Sequence, residues 1–571
     1  MLRFLKRMPL LKTGLAIIFL LVQTGCALYL PYLTAGIIDK GVVAGDVGAI
    51  WRKGGLMLGF TTLSLIGALL NMYISGNISF SLGANLREEI YTKVLSFSKA
   101  EYDKFGTSGL ITRNTNDVTQ VQSFVDMVLK FMILSPLYLI GGIYLTWRLN
   151  KTLAIPFMVA IPFMTIATII IYRFATPLYS KIQNMLDKLN LLFREGITGV
   201  RVIRAFSKEN EDYQKYENAN HEFTKTSIAA GTIMSMFLPL ITLIINMATI
   251  GILWIGGHRV TTGNIEVGSI MAAISYSMQI LMGFALLTNV ILTLPRGQVS
   301  AIRISEVLDT PLSIEDNSNP QMPHAISLQF DNVDFCYPGA SKQTLSGMSF
   351  AVEANKTLAI IGSTGDGKTS ILGLIPRLYD VNKGSVKIGG VDVRQIEQSK
   401  LRNLISYAPQ KSALMMGTIR SNMKIAKQNL GDEEIWSVLD AANASEFVRN
   451  LPEGLDSTVE KGGANFSGGQ KQRLCIARTL LKNADIYLFD DSFSALDFKT
   501  DAAVRSAINT RLAGKITIIV AQRINTIVDA DIIAVLDKGR IAGIGTHQEL
   551  LQSNAVYQEI VHSQGYEEVV A

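Results

Sequence analysis

Charged residues are scarce in this 571-residue chain, and six long stretches of its first half have none. Asp, Glu, Lys and Arg make up 18% of the residues, against about 25% in ordinary soluble domains. Each stretch approaches or exceeds the roughly 20 residues that a helix needs to cross a bilayer. Six in succession favour transmembrane helices over buried helices of a soluble domain. They are residues 13–38, 54–86, 131–147, 152–172, 226–257 and 267–295.

The missing charges and the rare cysteines argue against several classes of protein. Charges inside the membrane usually mark ion paths and proton relays, so an ion-driven mechanism loses support. Cys26, Cys336 and Cys475 are far apart, which argues against a disulfide framework and fits a reducing cytosol. No dense basic patch interleaved with aromatics appears, so we expect no nucleic acid as a partner. The first uncharged stretch is longer than the ~7–15 apolar residues of a cleavable signal peptide. We therefore expect it to be a membrane span and not a signal peptide.

The connections between the stretches predict their arrangement. Short loops on one face and long helical extensions on the other indicate hairpinned spans with two intracellular arms. The third stretch is short, and we expect its helix to begin upstream of Lys130, near Val121. The short connections are residues 39–53, 148–151 and 258–266, and the long ones are 87–130 and 173–225.

Positive charge gathers at the N-terminus, on Arg3, Lys6, Arg7 and Lys12. The positive-inside tendency places this end of the chain in the cytoplasm. Because six spans are an even number, residues from 300 onward lie there too. Arg148 and Lys151 oppose this assignment, since they fall in a predicted outer loop, but two charges do not overturn it. We therefore predict a multi-pass protein of the plasma membrane.

A few neutral polar residues interrupt the apolar stretches. They either line a cavity or form hydrogen bonds between helices, and the second role is the simpler one for any single residue. They are Gln23, Asn71, Asn77, Asn246, Gln279 and Asn289.

A glycine-rich segment in the second half has the spacing G-x-x-x-x-G-K-T. An apolar run at residues 358–361 precedes it and a helix-like run at 370–375 follows, which is the context of a phosphate-binding loop. Glycines let backbone N–H groups point at phosphate oxygens, and the following helix adds its N-terminal dipole. Lys368 can reach the terminal phosphates, and the Thr369 hydroxyl can ligate Mg²⁺. The segment consists of Gly362, Ser363, Thr364, Gly365, Asp366, Gly367, Lys368 and Thr369.

The second half reads as a separate soluble domain. Polar residues 310–324 form a linker, so we predict a membrane domain at 1–309 and a nucleotide-binding domain at 325–571. In the latter, apolar residues 486–489 end in Asp490, the pattern of a strand that delivers a carboxylate to Mg²⁺.

Between the phosphate loop and this acidic strand end lie Phe466, Ser467, Gly468, Gly469 and Gln470. With the three features in this order, the chain resembles an ABC transporter half-subunit over nearly its whole length. The resemblance implies a polytopic α-helical membrane domain with six transmembrane helices, in the type I ABC exporter fold. It also implies that this domain is fused to an α/β P-loop ATPase domain that uses ATP and Mg²⁺.

The resemblance assigns roles to single residues. Tyr337 is similar to the A-loop aromatic that stacks on adenine, and Ser370 continues the ATP-binding loop. Gln410 is similar to the Q-loop glutamine, which ligates Mg²⁺ together with Thr369 and Asp490. The D-loop is matched by Ser494, Ala495, Leu496 and Asp497.

The family pattern also implies a dimer. Each ATP lies between the phosphate loop of one chain and the signature of the other, which residues 466–470 resemble here. A chain with one ATPase domain therefore needs a partner. Residues 106–118 and 199–206 resemble the first and second intracellular loops of ABC exporters, which carry the coupling helices.

Two positions depart from the family pattern, and both belong to one ATP site. Asp491 stands where the family has a glutamate as general base, and a small misplacement of such a group can cost about 10²-fold in rate. Gln522 stands where the family has a histidine that contacts the γ-phosphate, and glutamine cannot carry a proton as imidazole does. One change alone would fit neutral drift, but the two together predict a degenerate site. Asp366 is a further oddity, because a carboxylate near a triphosphate is unfavourable unless it points away.

We therefore predict the degenerate subunit of a heterodimeric ABC exporter of amphipathic substrates, which are drugs, lipids or lipopeptides. Multidrug efflux is the family's commonest association for such pairs. The expected partners are a second half-transporter with an intact catalytic glutamate and histidine, membrane lipid, and an amphipathic small-molecule or lipid substrate. One alternative is a dedicated lipid or peptide exporter. Another, of a different class, is an ATP-sensing membrane subunit that regulates a partner and transports nothing.

Overall fold

A computed structural model describes residues 2–261, 263 and 265–565, without the side chains of residues 2 and 292. The chain divides into two compact units. The helical unit contains the residues up to Lys93 and Ser108–Asp309. The α/β unit contains Val94–Thr107 and the chain from Thr310 onward.

Helices account for nearly all of the described chain before Thr310. Segments of π-helix at Ile38–Val43, Arg113–Asp117 and Val128–Met132 continue the α-helices beside them. The α-helices are α1 (Leu2–Leu5), α2 (Leu10–Ile37), α3 (Val47–Leu95), α4 (Lys99–Phe105), α5 (Thr107–Thr112), α6 (Val118–Met127), α7 (Leu134–Leu149), α8 (Lys151–Ala205), α9 (Glu209–Ser235), α10 (Phe237–Thr261) and α11 (Val267–Asp309).

Within the described residues, six continuous helical stretches are long and apolar enough to cross a membrane, which confirms the six predicted spans. The third begins at Thr107, farther upstream than the predicted Val121. Two π-helical segments connect α5, α6 and α7. The helix is therefore continuous from its charged segment outside the membrane to its apolar membrane span. The stretches are Leu10–Val43, Val47–Leu95, Thr107–Leu149, Lys151–Ala205, Glu209–Thr261 and Val267–Asp309.

Two of the neutral polar residues in these helices donate hydrogen bonds to the backbone of another helix. The Asn71 side chain on α3 donates to the carbonyl of Ala16 on α2, at 2.9 Å. The Gln279 side chain on α11 donates to the carbonyl of Ala27 on α2, also at 2.9 Å. Both contacts join helices where water is scarce, so these two residues have the structural role that we expected.

The α/β unit contains the strands and the shorter helices. Its strands are β1 (Ser327–Phe335), β2 (Leu345–Glu353), β3 (Thr357–Gly362), β4 (Lys383–Ile388), β5 (Val391–Asp392), β6 (Ile405–Ala408), β7 (Gly417–Thr418), β8 (Thr458–Val459), β9 (Ile486–Asp490), β10 (Ile516–Val520), β11 (Ile532–Asp537) and β12 (Arg540–Gly545). Its helices after Thr310 are α12 (Lys368–Leu374), α13 (Gln398–Asn403), α14 (Ile419–Lys424), α15 (Asp432–Ala441), α16 (Ser445–Arg449), α17 (Gly468–Leu481), α18 (Phe498–Arg511), α19 (His547–Ser553) and α20 (Ala555–Ser563).

A six-stranded sheet in the order β12-β11-β3-β10-β9-β6 forms the centre of this unit. Its five strands from β11 to β6 are parallel to their neighbours, and β12 is antiparallel to β11. Val520 at the end of β10 pairs with Asp490 at the end of β9, and Ile360 of β3 pairs with Val520. The carboxyl ends of β3, β10 and β9 therefore meet at one edge, where ligands of parallel sheets usually bind.

Helix α4 belongs to the α/β unit although it lies far upstream in the sequence. The Tyr379 hydroxyl donates to the carboxylate of Asp103 at 2.9 Å. The backbone N–H of Ser313 donates to Glu101 at 2.9 Å, and the hydroxyls of Ser98 and Ser313 are 2.9 Å apart. These contacts fasten an early segment of the chain to the irregular segment that starts at Thr310.

Candidate functional site

The loop between β3 and α12 has the conformation that its glycines allow. Gly365 and Gly367 have φ of 96° and 90°, values that residues other than glycine rarely adopt. Lys368 begins α12 and is only 8% exposed, and its ammonium donates to the carbonyls of Gly362 and Ser363, both at 2.7 Å. Burial lowers the pKa of Lys368, while three nearby carboxylates act in the opposite direction. The lysine is thus held inside the curve of the loop.

Oxygen ligands suited to Mg²⁺ lie beside this loop. The Thr369 hydroxyl donates to Asp490 Oδ1 at 3.1 Å, and the Tyr407 hydroxyl donates to Asp490 Oδ2 at 3.1 Å. Burial raises the pKa of Asp490, and these two hydrogen bonds oppose the rise. Mg²⁺ in nucleotide sites takes one or two protein oxygens and completes its shell with phosphate and water. Thr369 and Asp490 fit that requirement, and Tyr407 orients the carboxylate.

Asp491 follows the end of β9 and is held by a glutamine. It has φ of 49°, an uncommon value outside glycine. The Gln522 side chain donates to Asp491 Oδ2 at 3.0 Å. Burial raises the pKa of Asp491, and the nearby Gln410 side chain opposes that shift. The two residues that depart from the expected pattern are therefore hydrogen-bonded to each other.

An aromatic cluster flanks the loop on the side of α12. The Tyr337 ring lies 4.9 Å from the Phe335 ring and 5.2 Å from the Tyr379 ring, measured between centroids. The Tyr337 hydroxyl is 2.7 Å from the Ser370 hydroxyl on α12. This contact places the phenol next to the helix that follows the phosphate loop.

Asp366 points away from the inside of the loop. Its Oδ1 accepts from the backbone N–H of Lys538, between β11 and β12, at 3.1 Å. The side chain is 8% exposed, and its Oδ2 is buried without a hydrogen-bond partner among the described residues. The carboxylate thus ties the loop to a neighbouring turn, although its charge stays close enough to influence Lys368.

Residues 466–470 form the start of α17. Ser467 caps the helix, and its capping box with Gln470 has contacts of 2.9 and 3.3 Å. Phe466 is buried and packs edge-to-face on Phe447. Gly468 is exposed and lies just inside the helix, so the first turn of α17 is accessible, and helix N-termini of this kind can bind anions.

The segment Ser494–Asp497 is anchored to α17 and to the end of β10. Gln472 of α17 accepts from the backbone N–H of Ala495 at 2.9 Å, and it donates to the Ser494 hydroxyl at 3.3 Å. Arg523 donates to the carbonyls of Ser494 and Leu496, at 2.9 and 3.1 Å. Asp497 caps the next helix, α18. This segment therefore connects the start of α17 with the strand ends that carry Asp491 and Gln522.

Comparison with known proteins identifies the family. Residues 13–284 match the family described as ABC transporter transmembrane region, and residues 345–494 match the family described as ABC transporter. An uncharacterized ABC transporter ATP-binding protein of Mycobacterium tuberculosis is 37% identical over 95% of this chain and 94% of its own length. The chain belongs to the ABC transporter family. It is a half-transporter, in which one membrane region is joined to one ATP-binding region.

Other ABC transporters extend this result. The probable multidrug resistance ABC transporter ATP-binding/permease protein YheI of Bacillus subtilis is 31% identical, with 96% of this chain and 94% of that protein covered. The structure of a bacterial Atm1-family ABC exporter with ATP bound matches at a TM-score of 0.81 and 24% identity, covering 98% of both chains. The chain thus has the ABC exporter fold, with six helices and an α/β ATPase domain, as the sequence predicted.

Several contacts in this ABC transporter site involve residues that the sequence did not single out. The side-chain amide of Gln564, just after α20, makes two hydrogen bonds. Its Nε2 donates to the backbone carbonyl of Gln522 at 2.7 Å, and its Oε1 accepts from the backbone N–H of Ile524 at 2.9 Å. Gln564 thereby holds the loop after β10. Tyr407 could have been found from its position at the end of an apolar strand, three residues before Gln410. Gln564 gives no such signal, because its contact joins distant parts of the sequence.

Removing the charge of Asp366 should strengthen nucleotide binding. In Asp366→Asn the oxygen that accepts from Lys538 can remain, but the negative charge near the loop is lost. A unit charge several Å away contributes on the order of 1 kcal/mol at the effective dielectric of such sites, so we expect ATP to bind about fivefold more tightly. Affinity for a fluorescent ATP analogue, measured at low and high salt, tests this. Unchanged affinity in Asp366→Asn at low salt would contradict it, and Asp366→Ala controls for the lost hydrogen bond.

Proposed function

We propose that this chain is the degenerate half of a heterodimeric ABC exporter, with a membrane domain at 1–309, a linker at 310–324 and an ATPase domain at 325–571. The observation that carries the proposal is the 3.0 Å hydrogen bond between Gln522 and Asp491. A general base must face the attacking water. A carboxylate that accepts a hydrogen bond from Gln522 is directed toward protein instead, so ATP bound by this chain is hydrolysed slowly and acts mainly to hold the dimer together.

The partner supplies what this chain lacks. It contributes a phosphate loop, a catalytic glutamate and a histidine to a second ATP site, and Ser467–Gln470 of this chain completes that site from across the interface. The intact capping box and the exposed Gly468 at the start of α17 support this role. In the chain's own site, Thr369, Gln410 and Asp490 hold Mg²⁺, and Tyr337 stacks on adenine.

The substrate is amphipathic. A cavity of about 480 Å³ lies between α8 and α11 in the helical unit. Its lining is largely apolar, and its polar residues are Thr165, Thr168, Tyr172, Arg173 and Thr288. Apolar pockets with a few polar groups are typical small-molecule sites. The name of the Bacillus subtilis relative, which describes a probable multidrug resistance transporter, supports drugs as one substrate class.

Topology follows from the charge at the N-terminus. The N-terminus and the ATPase domain lie in the cytoplasm, where ATP is available, and the long helical extensions of α3 and α8–α9 act as the intracellular arms. ATP closes the two ATPase domains, and the arms transmit this closure to the helices. The transporter then changes from an inward-facing to an outward-facing form.

Filling the cavity should impair transport without stopping ATP hydrolysis. Thr288→Trp places an indole in the cavity, and overpacking of this kind costs about 1–3 kcal/mol, so we expect ATP-dependent dye uptake into inverted vesicles to fall by at least about fivefold. Vesicles contain this chain with its partner, and basal ATPase activity should stay near the parent value. Leu253→Trp is the control, because Leu253 is 49% exposed on α10 and does not line the cavity.

The same assay separates the alternatives. Uptake of several unrelated dyes supports a multidrug exporter, and uptake of one lipid or peptide alone indicates a dedicated exporter. ATP binding without any uptake, for a broad panel of dyes, lipids and peptides, would contradict export and favour a regulatory subunit.

A further inference from the structure

A cavity with polar groups along one wall lies where the charged N-terminus meets the first apolar helix. It has a volume of about 370 Å³ and is lined by Arg7, Met8, Pro9 and Lys12 and by one face of α3. Lys12 is the last charged residue before the uncharged stretch 13–38, and Arg87 is the first after the uncharged stretch 54–86. The cavity therefore lies at the level where both helices leave the apolar layer, which is the level of lipid headgroups.

The α3 wall of this cavity presents hydrogen-bonding groups at a regular spacing. Asn77, Ser81 and Asn85 are four residues apart, so they share one face of the helix, and all three line the cavity. Beneath them Ile78, Leu82 and Leu86 are buried and close the cavity with apolar surface. Amide and hydroxyl groups above an apolar floor match the phosphate and glycerol of a lipid headgroup.

The charges around the cavity leave a positive balance. Arg7 is paired with Glu89 at 2.7 Å, and Arg3 is paired with Asp309 at 2.6 Å. Lys12 contacts the neutral Asn77 oxygen at 3.4 Å, and no carboxylate of the described residues forms an ion pair with it. A lysine of this kind at a membrane surface attracts anionic lipid by about 1 kcal/mol.

Apolar side chains beside the cavity indicate what accompanies the phosphate. Leu10 and Leu11 are 89% and 79% exposed, and they precede Lys12 directly. A free phosphate ion would make no favourable contact with this apolar surface, whereas the acyl chains of a lipid would cover it. We propose that this cavity binds the headgroup of an anionic phospholipid, with Lys12 on the phosphate, Asn77, Ser81 and Asn85 on the headgroup oxygens, and Leu10 and Leu11 against the acyl chains.

Native mass spectrometry of the detergent-purified full-length chain, co-purified with its partner, tests the site. Phosphatidylglycerol is titrated in one arm and phosphatidylcholine in another, without ATP. We expect saturable binding of phosphatidylglycerol, weakened about fivefold by Lys12→Ala. The matched control is Lys6→Ala, which removes the same charge from a residue outside the cavity, and it should leave the affinity unchanged. Ser81→Leu, which fills the cavity and keeps all charges, should weaken binding similarly.

Three results would overturn the proposal. Equal weakening by Lys12→Ala and Lys6→Ala would indicate diffuse attraction, and equal affinity for phosphatidylcholine would remove the role of charge. Displacement of the lipid by excess inorganic phosphate would show that only an ion is bound. If Lys12→Ala lowers the melting temperature in lipid-free detergent, its weaker binding could reflect lost stability. The Ser81→Leu variant then tests the proposal, and unchanged lipid affinity in that variant would contradict it. Because the assay involves neither ATP nor transport, its outcome is independent of the proposed export function.

Discussion

Replacing Asp491 by glutamate and Gln522 by histidine together should raise ATP turnover at this chain's own site by about 10²-fold. Glutamate adds the methylene that brings a carboxylate to the attacking water, and histidine can contact the γ-phosphate and carry charge. The double substitution also removes the 3.0 Å hydrogen bond from Gln522 to Asp491. Both residues follow adjacent strands, β9 and β10, so the new pair occupies the same place as the old one.

This experiment requires a complex in which the other site is silent. The partner's phosphate-loop lysine is replaced by alanine, so that phosphate release reports only the site of this chain. Each single variant serves as a control, and we expect both to remain within a few-fold of the parent because the reaction needs both groups. High turnover in the unmodified site, or no gain in the double variant while ATP still binds, would show that the site is not degenerate in the way proposed.

A carboxylate at the start of α17 should nearly abolish ATP hydrolysis by the complex. Gly468 lies in the signature segment, and a side chain there would meet only the Ala495 methyl group, at 3.8 Å, so Gly468→Asp is compatible with folding. The new charge faces the phosphate bound by the partner, and loss of such stabilisation costs about 10²–10³-fold in rate. Gly469 is less suitable, because an added Cβ would lie 3.1 Å from the Ala495 carbonyl oxygen.

A variant of the phosphate loop provides the comparison for Gly468→Asp. Lys368→Ala removes the phosphate-loop lysine of this chain's own site and should slow the complex only partly, since the proposed function places the productive ATP in the partner's site. Gly468→Ala is the neutral control for Gly468→Asp and should keep most of the activity. Steady-state ATPase assays of the three complexes check this. A larger loss from Lys368→Ala than from Gly468→Asp would reverse the assignment of the two sites.

The sequence was most informative where a single residue type is decisive. The lack of charge located the six spans, because a bilayer excludes charge wherever the helix begins or ends. It did not locate the start of the third helix at Thr107, since helical backbone beyond the membrane needs no apolar run. The glycines of residues 362–369 and the acidic end of β9 likewise pointed to a nucleotide site, because phosphate and Mg²⁺ require those groups.

Contacts between distant residues were not accessible from the sequence. Asp491 and Gln522 each stood out as a departure, but their hydrogen bond depends on β9 lying next to β10, and strand order does not follow from composition. The same is true of Asp366, whose direction is set by the backbone N–H of Lys538. Gln564 contacts Gln522 from a C-terminal helix, and a lone surface glutamine carries no recognisable pattern.

The two-part composition of the α/β unit has a consequence for biosynthesis. The ribosome makes helix α4 first, then residues 108–309, and only later the segments that receive it. Asp103 cannot meet Tyr379, nor Glu101 meet Ser313, until that later chain has emerged. Domains usually fold in order as they are translated, but here the ATP-binding half forms hydrogen bonds to a helix produced long before it. Completion of this half is thereby tied to prior synthesis of the whole membrane half.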